Sequence, residues 1–189
     1  MSAAADVTTL RDSFGDQILE TREFRGEQTV VVALGSLHEL LAKCHRDLSY
    51  EMILDISSVD HFGDDPRFEM VYEIASLDDS KHLRIKAKVA EDESVPSVTD
   101  VWVGADWHER EVWDMMGIPF TGHPNLKRIL MWEGYPFFPL RKDFPLAGRP
   151  TEMPDVAFTG VAPLEGGPFV TSAGAGDVLK REPRARVVE

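Results

Sequence analysis

The sequence has a single cysteine, Cys44, among 189 residues. No disulfide framework can form within the chain, and no multi-cysteine zinc or iron–sulfur site. Cys44 continues the series Leu37, Leu40, Leu41, Cys44, Leu48. That spacing predicts a small buried apolar side chain rather than a nucleophile, and a reducing compartment fits it. No apolar stretch approaches the ~18 residues of a membrane span. The N-terminus lacks the basic and apolar regions of a signal peptide, so none is expected. Basic residues are also short, with 20 Lys and Arg against 33 Asp and Glu, a net charge of −13. Free nucleic acid is thereby excluded as an expected partner, since phosphate contacts need a basic face.

The acid excess is uneven. Residues 1–100 hold 21 acids and 10 bases, whereas residues 101–150 hold six of each. The first half carries the solubilising charge. The centre is neutral but dense in both signs, as in a docking region or a charged helix face. A chain of this size buries roughly two-thirds to 70% of its unfolded surface, enough for a real core.

Periodicity supplies the elements. Residues 6–19 place Val7, Leu10, Phe14 and Ile18 at helical spacing. Residues 20–25 and 28–34 flank Arg25-Gly26-Glu27 and predict a hairpin. Ser36 to Glu39 has the spacing of a capping box opening a helix to about Leu48. Strands are expected over 51–60, with Met52, Leu54 and Ile56 sharing a face, and over 68–76 and 82–90. The last two alternate apolar residues with Glu69 and Glu73 on one and Arg84, Lys86 and Lys88 on the other. That is a cross-strand ionic ladder on a solvated face. The expected fold is α+β, an α-β2-α-β3 two-layer domain with one mixed sheet and helices on one face. This domain is taken as residues 1–118 and includes a charged helix at 105–116 ended by Gly117. Residues 119–146 form a Pro/Gly-rich docking segment. Residues 147–189 form a long irregular Pro/Gly-rich arm, whose Phe158, Val161, Leu164, Phe169 and Val170 favour a partner surface.

On a helix at ~100° per residue, Ala105, His108, Val112, Met115 and Met116 gather on one side. Asp106, Arg110 and Asp114 form an i, i+4, i+8 ladder on the other, as exposed helices commonly do. Glu109 falls on the edge of the apolar face, where a carboxylate needs a partner. The expected partner is an arginine fork, drawn from Arg128, Arg141 and Lys142 as cationic candidates. His108 and His123 with Glu109, Glu111 or Asp114 are metal-ligand types, but no His–x3–His or His–Glu–x2–His spacing joins them. Glu109 and Glu111 diverge on a helix and make no acid/base pair. No nucleophile elbow, phosphate loop or cofactor box is present. Trp102, Trp107, Trp113 and Trp132 cluster about the helix as interface anchors or core.

Several motifs then coincide. They are Val95-Pro96-Ser97-Val98-Thr99-Asp100-Val101-Trp102, Glu109-Arg110-Glu111, Asp114-Met115-Met116-Gly117-Ile118, Gly122-His123-Pro124, Arg128-Ile129-Leu130 and Pro139-Leu140-Arg141-Lys142-Asp143-Phe144-Pro145. Together they resemble the thirty-kilodalton subunit of respiratory complex I, the proton-translocating NADH:quinone oxidoreductase, known in bacteria as its C subunit. The dense match spans about residues 95–146, and the upstream element order is also like that family's fold. One departure lies in Trp132–Leu140, a few residues longer than the family's run into Arg-Lys-Asp.

The resemblance implies a non-catalytic peripheral-arm subunit packed against the forty-nine-kilodalton subunit, the bacterial D subunit, near the quinone site. NADH, FMN, iron–sulfur clusters and quinone would be bound by other subunits, with no cofactor or metal on this chain. It implies an assembly and ion-pair role for Glu109, Arg110, Glu111, Asp114, His123, Arg128, Arg141, Lys142 and Asp143. It places the chain peripherally on the cytoplasmic side of the bacterial inner membrane, as the form not fused to the D subunit. The alternatives left open are the equivalent subunit of a membrane-bound hydrogenase or related dehydrogenase, and a stand-alone metal-dependent hydrolase.

Overall fold

The computed structural model describes residues 2–78 and 80–145. The expected arm at 147–189 lies outside the described residues. Helix α1 (Ala3–Phe14) buries Val7 and Leu10 and stops at Gly15, whose φ of 51° breaks the helix. The expected helix was longer, but Ile18 already opens strand β1 (Ile18–Phe24). Strand β2 (Glu27–Val32) follows through Arg25 and Gly26, with φ of 54° and 84°. Positive φ at both loop positions matches the right-handed twist of a two-residue hairpin.

Helix α2 (Leu37–Asp47) buries Leu37, Leu40, Leu41 and Cys44. The expected capping box does not form. Ser36 makes no side-chain cap and its hydroxyl instead contacts Gln17 Oε1 at 3.2 Å. Burial drives the Cys44 thiol pKa up to about 12, so this thiol is inert.

Strands β3 (Met52–Asp60), β4 (Phe68–Ala75) and β5 (His82–Val89) complete an α+β domain on a mixed five-stranded sheet. The sheet order is β1-β2-β5-β4-β3. Within it only β2 and β5 run parallel, pairing Gln28 with Leu83 and Val31 with Lys86. Met70, Tyr72, Ile74, Leu83, Ile85, Ala87, Val30 and Val32 are fully buried in one core with the inner residues of α1 and α2. On the opposite side of β4 and β5, Lys86 meets Glu69 at 2.6 Å and Arg84 meets Glu73, so the ionic ladder is present.

Strand β3 departs from simple alternation. A register shift between Ile53 and Asp55 turns Ile53 and Ile56 inward and leaves Met52 and Leu54 exposed. The expected shared face of Met52, Leu54 and Ile56 is thereby split, as a bulge does. Beyond the sheet, β6 (Val95–Pro96) pairs in parallel with β7 (Phe120–Thr121) on either side of helix α3 (Ala105–Met116). Gly117 caps α3 in the left-handed region, with φ of 73° and its N–H on Trp113 O. A Cβ at Gly117 would lie 2.6 Å from the Phe138 ring, so the close approach also requires glycine.

Candidate docking site along the charged helix

Helix α3 runs beside β3. His108 Nδ1 lies 3.2 Å from Asp55, and Gly104 sits against Ile53. Three groups of polar contacts form around the helix.

Glu109, expected on the edge of the apolar face, is fully buried. Its partners differ from the expected arginine fork. Oε1 accepts from Val98 N–H at 2.7 Å and Oε2 contacts the Ser97 hydroxyl at 2.7 Å. The β6–β7 pairing delivers this segment to α3, and it also delivers His123, whose Nε2 is 3.9 Å from Glu109 and 3.1 Å from Asp106. Burial pushes the Glu109 pKa up, against the opposing bonds from Val98 and Ser97.

An arginine does pair with a buried carboxylate on α3, but the carboxylate is Asp114, and Arg128 meets it through Nη1 alone while Nη2 donates to Phe137 O. Asp114 was expected on an exposed ladder, yet it is fully buried. Its Oδ2 accepts N–H bonds from Ile129, Leu130 and Met131 at 3.0, 2.7 and 2.8 Å. Its other oxygen takes Arg128, whose Nη1 also reaches Asp114 O at 3.0 Å. Burial alone would raise this carboxyl's pKa, but the three N–H groups and the guanidinium outweigh it and hold the pKa low. The Arg128 guanidinium lies 5.4–5.7 Å from the ring centres of Trp113, Tyr135 and Phe138. Arg110, stacked on Trp107, donates to Lys127 O and Arg128 O. The wheel placed Asp114 on the wrong side because it considered only helix and water, whereas residues 127–131 cover that face.

The third group fixes the Leu-Arg-Lys-Asp run. Leu140 N–H donates to Met115 O and Arg141 Nε to Met116 O, so this run occupies carbonyls at the end of α3. Arg141 also meets Glu91 at 2.9 Å and lies over Phe68 and Phe138. Lys142 contributes its backbone N–H to Asp60 at 2.8 Å, and Asp143 pairs with Arg67 at 2.9 Å. Arg67 forks onto both oxygens of Asp60 at 2.9 Å. The Arg67 hydrogen bonds, working against burial, hold the Asp60 pKa below the usual carboxylate value. Asp60, Arg67 and Glu91 had not been singled out in the sequence. The available signal was an acid ending β3 on a buried register and an Arg opening β4.

Of the expected site residues, Glu111 stands apart. It is exposed and has no hydrogen bond or ion pair among the described residues. The metal-ligand candidates also separate. His108 faces Asp55 and His123 faces Asp106, and among the described residues no group of three or more ligands is placed to hold an ion.

Comparison with known proteins gives the family. Residues 30–150 match the family described as "Respiratory-chain NADH dehydrogenase, 30 Kd subunit". The chain belongs to this family. The C subunit of NADH-quinone oxidoreductase from Geotalea uraniireducens is 45% identical over 77% of this chain and 90% of its own length. A C-type subunit of the same enzyme from Rhizobium etli is 41% identical over 82% of this chain and 84% of its own. One polypeptide in the structure of the membrane-bound sulfane sulfur reductase, an archaeal respiratory membrane complex, superposes with a TM-score of 0.66. The match covers 76% of this chain and 85% of that one at 21% identity, which shows a shared fold. The expected family and its role as a subunit of the NADH-quinone oxidoreductase enzyme complex therefore hold.

Within this family member, four large apolar side chains are exposed on or near α3, alongside the charged Glu111 and Asp55. Val103 is 87% and Trp107 60% exposed, next in sequence to Gly104 and His108. Met52 and Leu54, 44% and 43% exposed, are next to Ile53 and Asp55, which Gly104 and His108 touch. No helix among the described residues is long and apolar enough to cross a membrane.

Proposed function

We propose that this chain is a non-catalytic peripheral-arm subunit of NADH:quinone oxidoreductase that docks through the Val103–Trp107 face of α3 and the start of β3. The partner is the forty-nine-kilodalton D subunit, near the quinone site. Docking there supports electron transfer from NADH to quinone coupled to proton translocation, on the cytoplasmic side of the membrane. NADH, FMN, iron–sulfur clusters and quinone are held by the other subunits. The observation that carries this reading is the division of labour on α3. Apart from Glu111, its carboxylates and its one arginine are engaged within the chain, holding residues 97–98 and 123–131, while Trp107 on the helix and Val103, Met52 and Leu54 nearby are exposed. An exposed tryptophan beside apolar neighbours is the usual anchor of a protein contact. On this view Glu109, Arg110, Asp114, His123, Arg128, Arg141, Lys142 and Asp143 shape the docking face, and Glu111 lies on its rim.

The test is affinity capture of the tagged chain from gently solubilised host membranes, beside a Val103→Asp, Trp107→Asp variant. The wild type is expected to bring the D subunit and the iron–sulfur subunits, and the variant to lose nearly all of them while folding normally. Capture with hydrogenase-type subunits, or of the chain alone, overturns the reading. Unchanged recovery by the variant overturns the face.

A further inference from the structure

The Glu109 carboxyl is fully buried, and among the described residues no lysine or arginine is within ion-pair distance of it. The groups facing it come from four elements. The turn after β6 supplies Val98 N–H and the Ser97 hydroxyl. The segment after β7 supplies His123, and α3 itself supplies Asp106. Strand β4 supplies Tyr72, a buried phenol close enough for the Glu109 charge to raise its pKa further. Arg110, also on α3, is directed to the other Asp106 oxygen at 3.9 Å.

His123 is turned toward Asp106. Its Nδ1 accepts the Asn125 N–H at 3.0 Å, and its Nε2 faces Asp106 O and Oδ1 at 3.3 and 3.1 Å, nearer than Glu109 at 3.9 Å. An ionised Glu109 is a buried anion beside a second carboxylate, and burial outweighs what the Val98 and Ser97 bonds and the nearby His123 offer it.

The hydroxyls beside Glu109 can serve the neutral acid. Ser97 Oγ is 2.7 Å from Oε2 and 2.9 Å from Thr99 Oγ1, and either hydroxyl can donate in the second contact. With the acid protonated, Oε2–H donates to Ser97, Ser97 donates to Thr99, and Oε1 still accepts from Val98. Ser97 and Thr99 thus carry the bond sequence outward from the carboxyl along the turn after β6.

We propose that Glu109 is a proton-binding site that fastens α3 to the Ser97–Thr99 turn and the His123 segment in its neutral form. The ligand is a proton, held to a higher pH than exposed glutamates hold theirs. Ionisation charges the junction and loosens it. This inference does not depend on which partner the chain docks with, and its tests use the isolated full chain.

Glutamine reproduces the neutral acid, offering Oε1 to Val98 N–H and Nε2–H to Ser97. Urea unfolding is compared between pH 5 and 8 for wild type, Glu109→Gln and the exposed control Glu111→Gln. Between the ordinary glutamate range and the Glu109 midpoint, the wild-type folding constant is expected to fall relative to Glu109→Gln, by up to about tenfold per pH unit. Glu111→Gln is expected to track the wild type. A Glu109→Gln to wild-type ratio independent of pH overturns the proposal. Should that variant fail to fold, carbon-13 titration of wild-type glutamate side chains decides. Glu109 is expected to titrate above the ordinary glutamate value of 4.5, and a midpoint at or below it overturns the proposal.

Discussion

The sheet domain and the segment after α3 are held by opposite means. From α1 to β5, apolar rows at period 2 and 3.6 bury one another, the β4–β5 ionic ladder lies on the other face, and the Asp6–Lys81 and Asp60–Arg67 pairs are buried at the edges. From Gly117 to Pro145 there is only a two-residue strand, β7. Here buried carboxylates receive backbone N–H groups, and guanidiniums lie between aromatic rings while donating to carbonyls. The difference teaches that a chain without periodicity can have a fixed path when its peptide groups find partners outside any ladder.

Breaking Asp114 strikes the second region hardest. Asp114→Ala strands three N–H groups and a guanidinium, at an expected cost of about 3–5 kcal/mol. Hydrogen exchange should rise first at 128–141, ahead of β4 and β5. Equal loss of protection in the sheet would show that the two regions do not open separately. In the first region, Ile85→Ala leaves a cavity in the central strand and is expected to cost about 2–4 kcal/mol in one global transition measured by urea unfolding. A loss confined to the segment would invert the comparison.

Acid sharpens the same contrast. Asp60 and Asp114 have folded pKa values below the ordinary 3.8. The unfolded chain therefore takes up these protons first as the pH falls. Their stabilisation is full above that value and is lost as the pH drops through the lower folded values. Residues 128–143 are expected to detach in that acidic window, reported by tryptophan fluorescence, while far-ultraviolet circular dichroism keeps its strand signal. Glu109 has the opposite sign, because its pKa is raised. The smallest effect belongs to the sheet's outer face. Lys86→Ala is expected to cost about 0.2–1 kcal/mol, shrinking with added salt in thermal melts.

The two regions were also unequally legible in the sequence. Alternation over Phe68–Ala75 and His82–Val89 located β4 and β5, because burial on one sheet face writes itself at period two. Helix α3 was read with its bounds at 105–116, since Gly117 marks its end. Glu109 was read as a carboxylate on the edge of the apolar face that needs a partner. Its partner was not, because Ser97 and Val98 are brought there by the β6–β7 pairing, which two-residue strands do not announce. Asp114 was misjudged for a related reason. A ladder with Asp106 and Arg110 satisfies local spacing, and only the fold of 127–131 over that face makes Asp114 a receptor for peptide groups. In β3, one extra residue near Leu54 reversed the faces of Met52 and Leu54, and a bulge leaves alternation looking intact on paper.

The parallel union of β2 and β5 has a consequence in time. It joins Gln28 to Leu83, with α2, β3 and β4 all lying between them in the chain, whereas β1 and β2 meet across a tight loop. During synthesis the hairpin is complete long before its inner neighbour leaves the ribosome. Until Leu83 to Lys86 arrive, Gln28 to Val31 present an uncovered strand edge, the kind of template on which chains pair wrongly. Closing that loop is slow relative to local pairing, so the sheet's centre forms last although it lies deepest. Nascent chains halted before residue 83 are the ones that would need a chaperone.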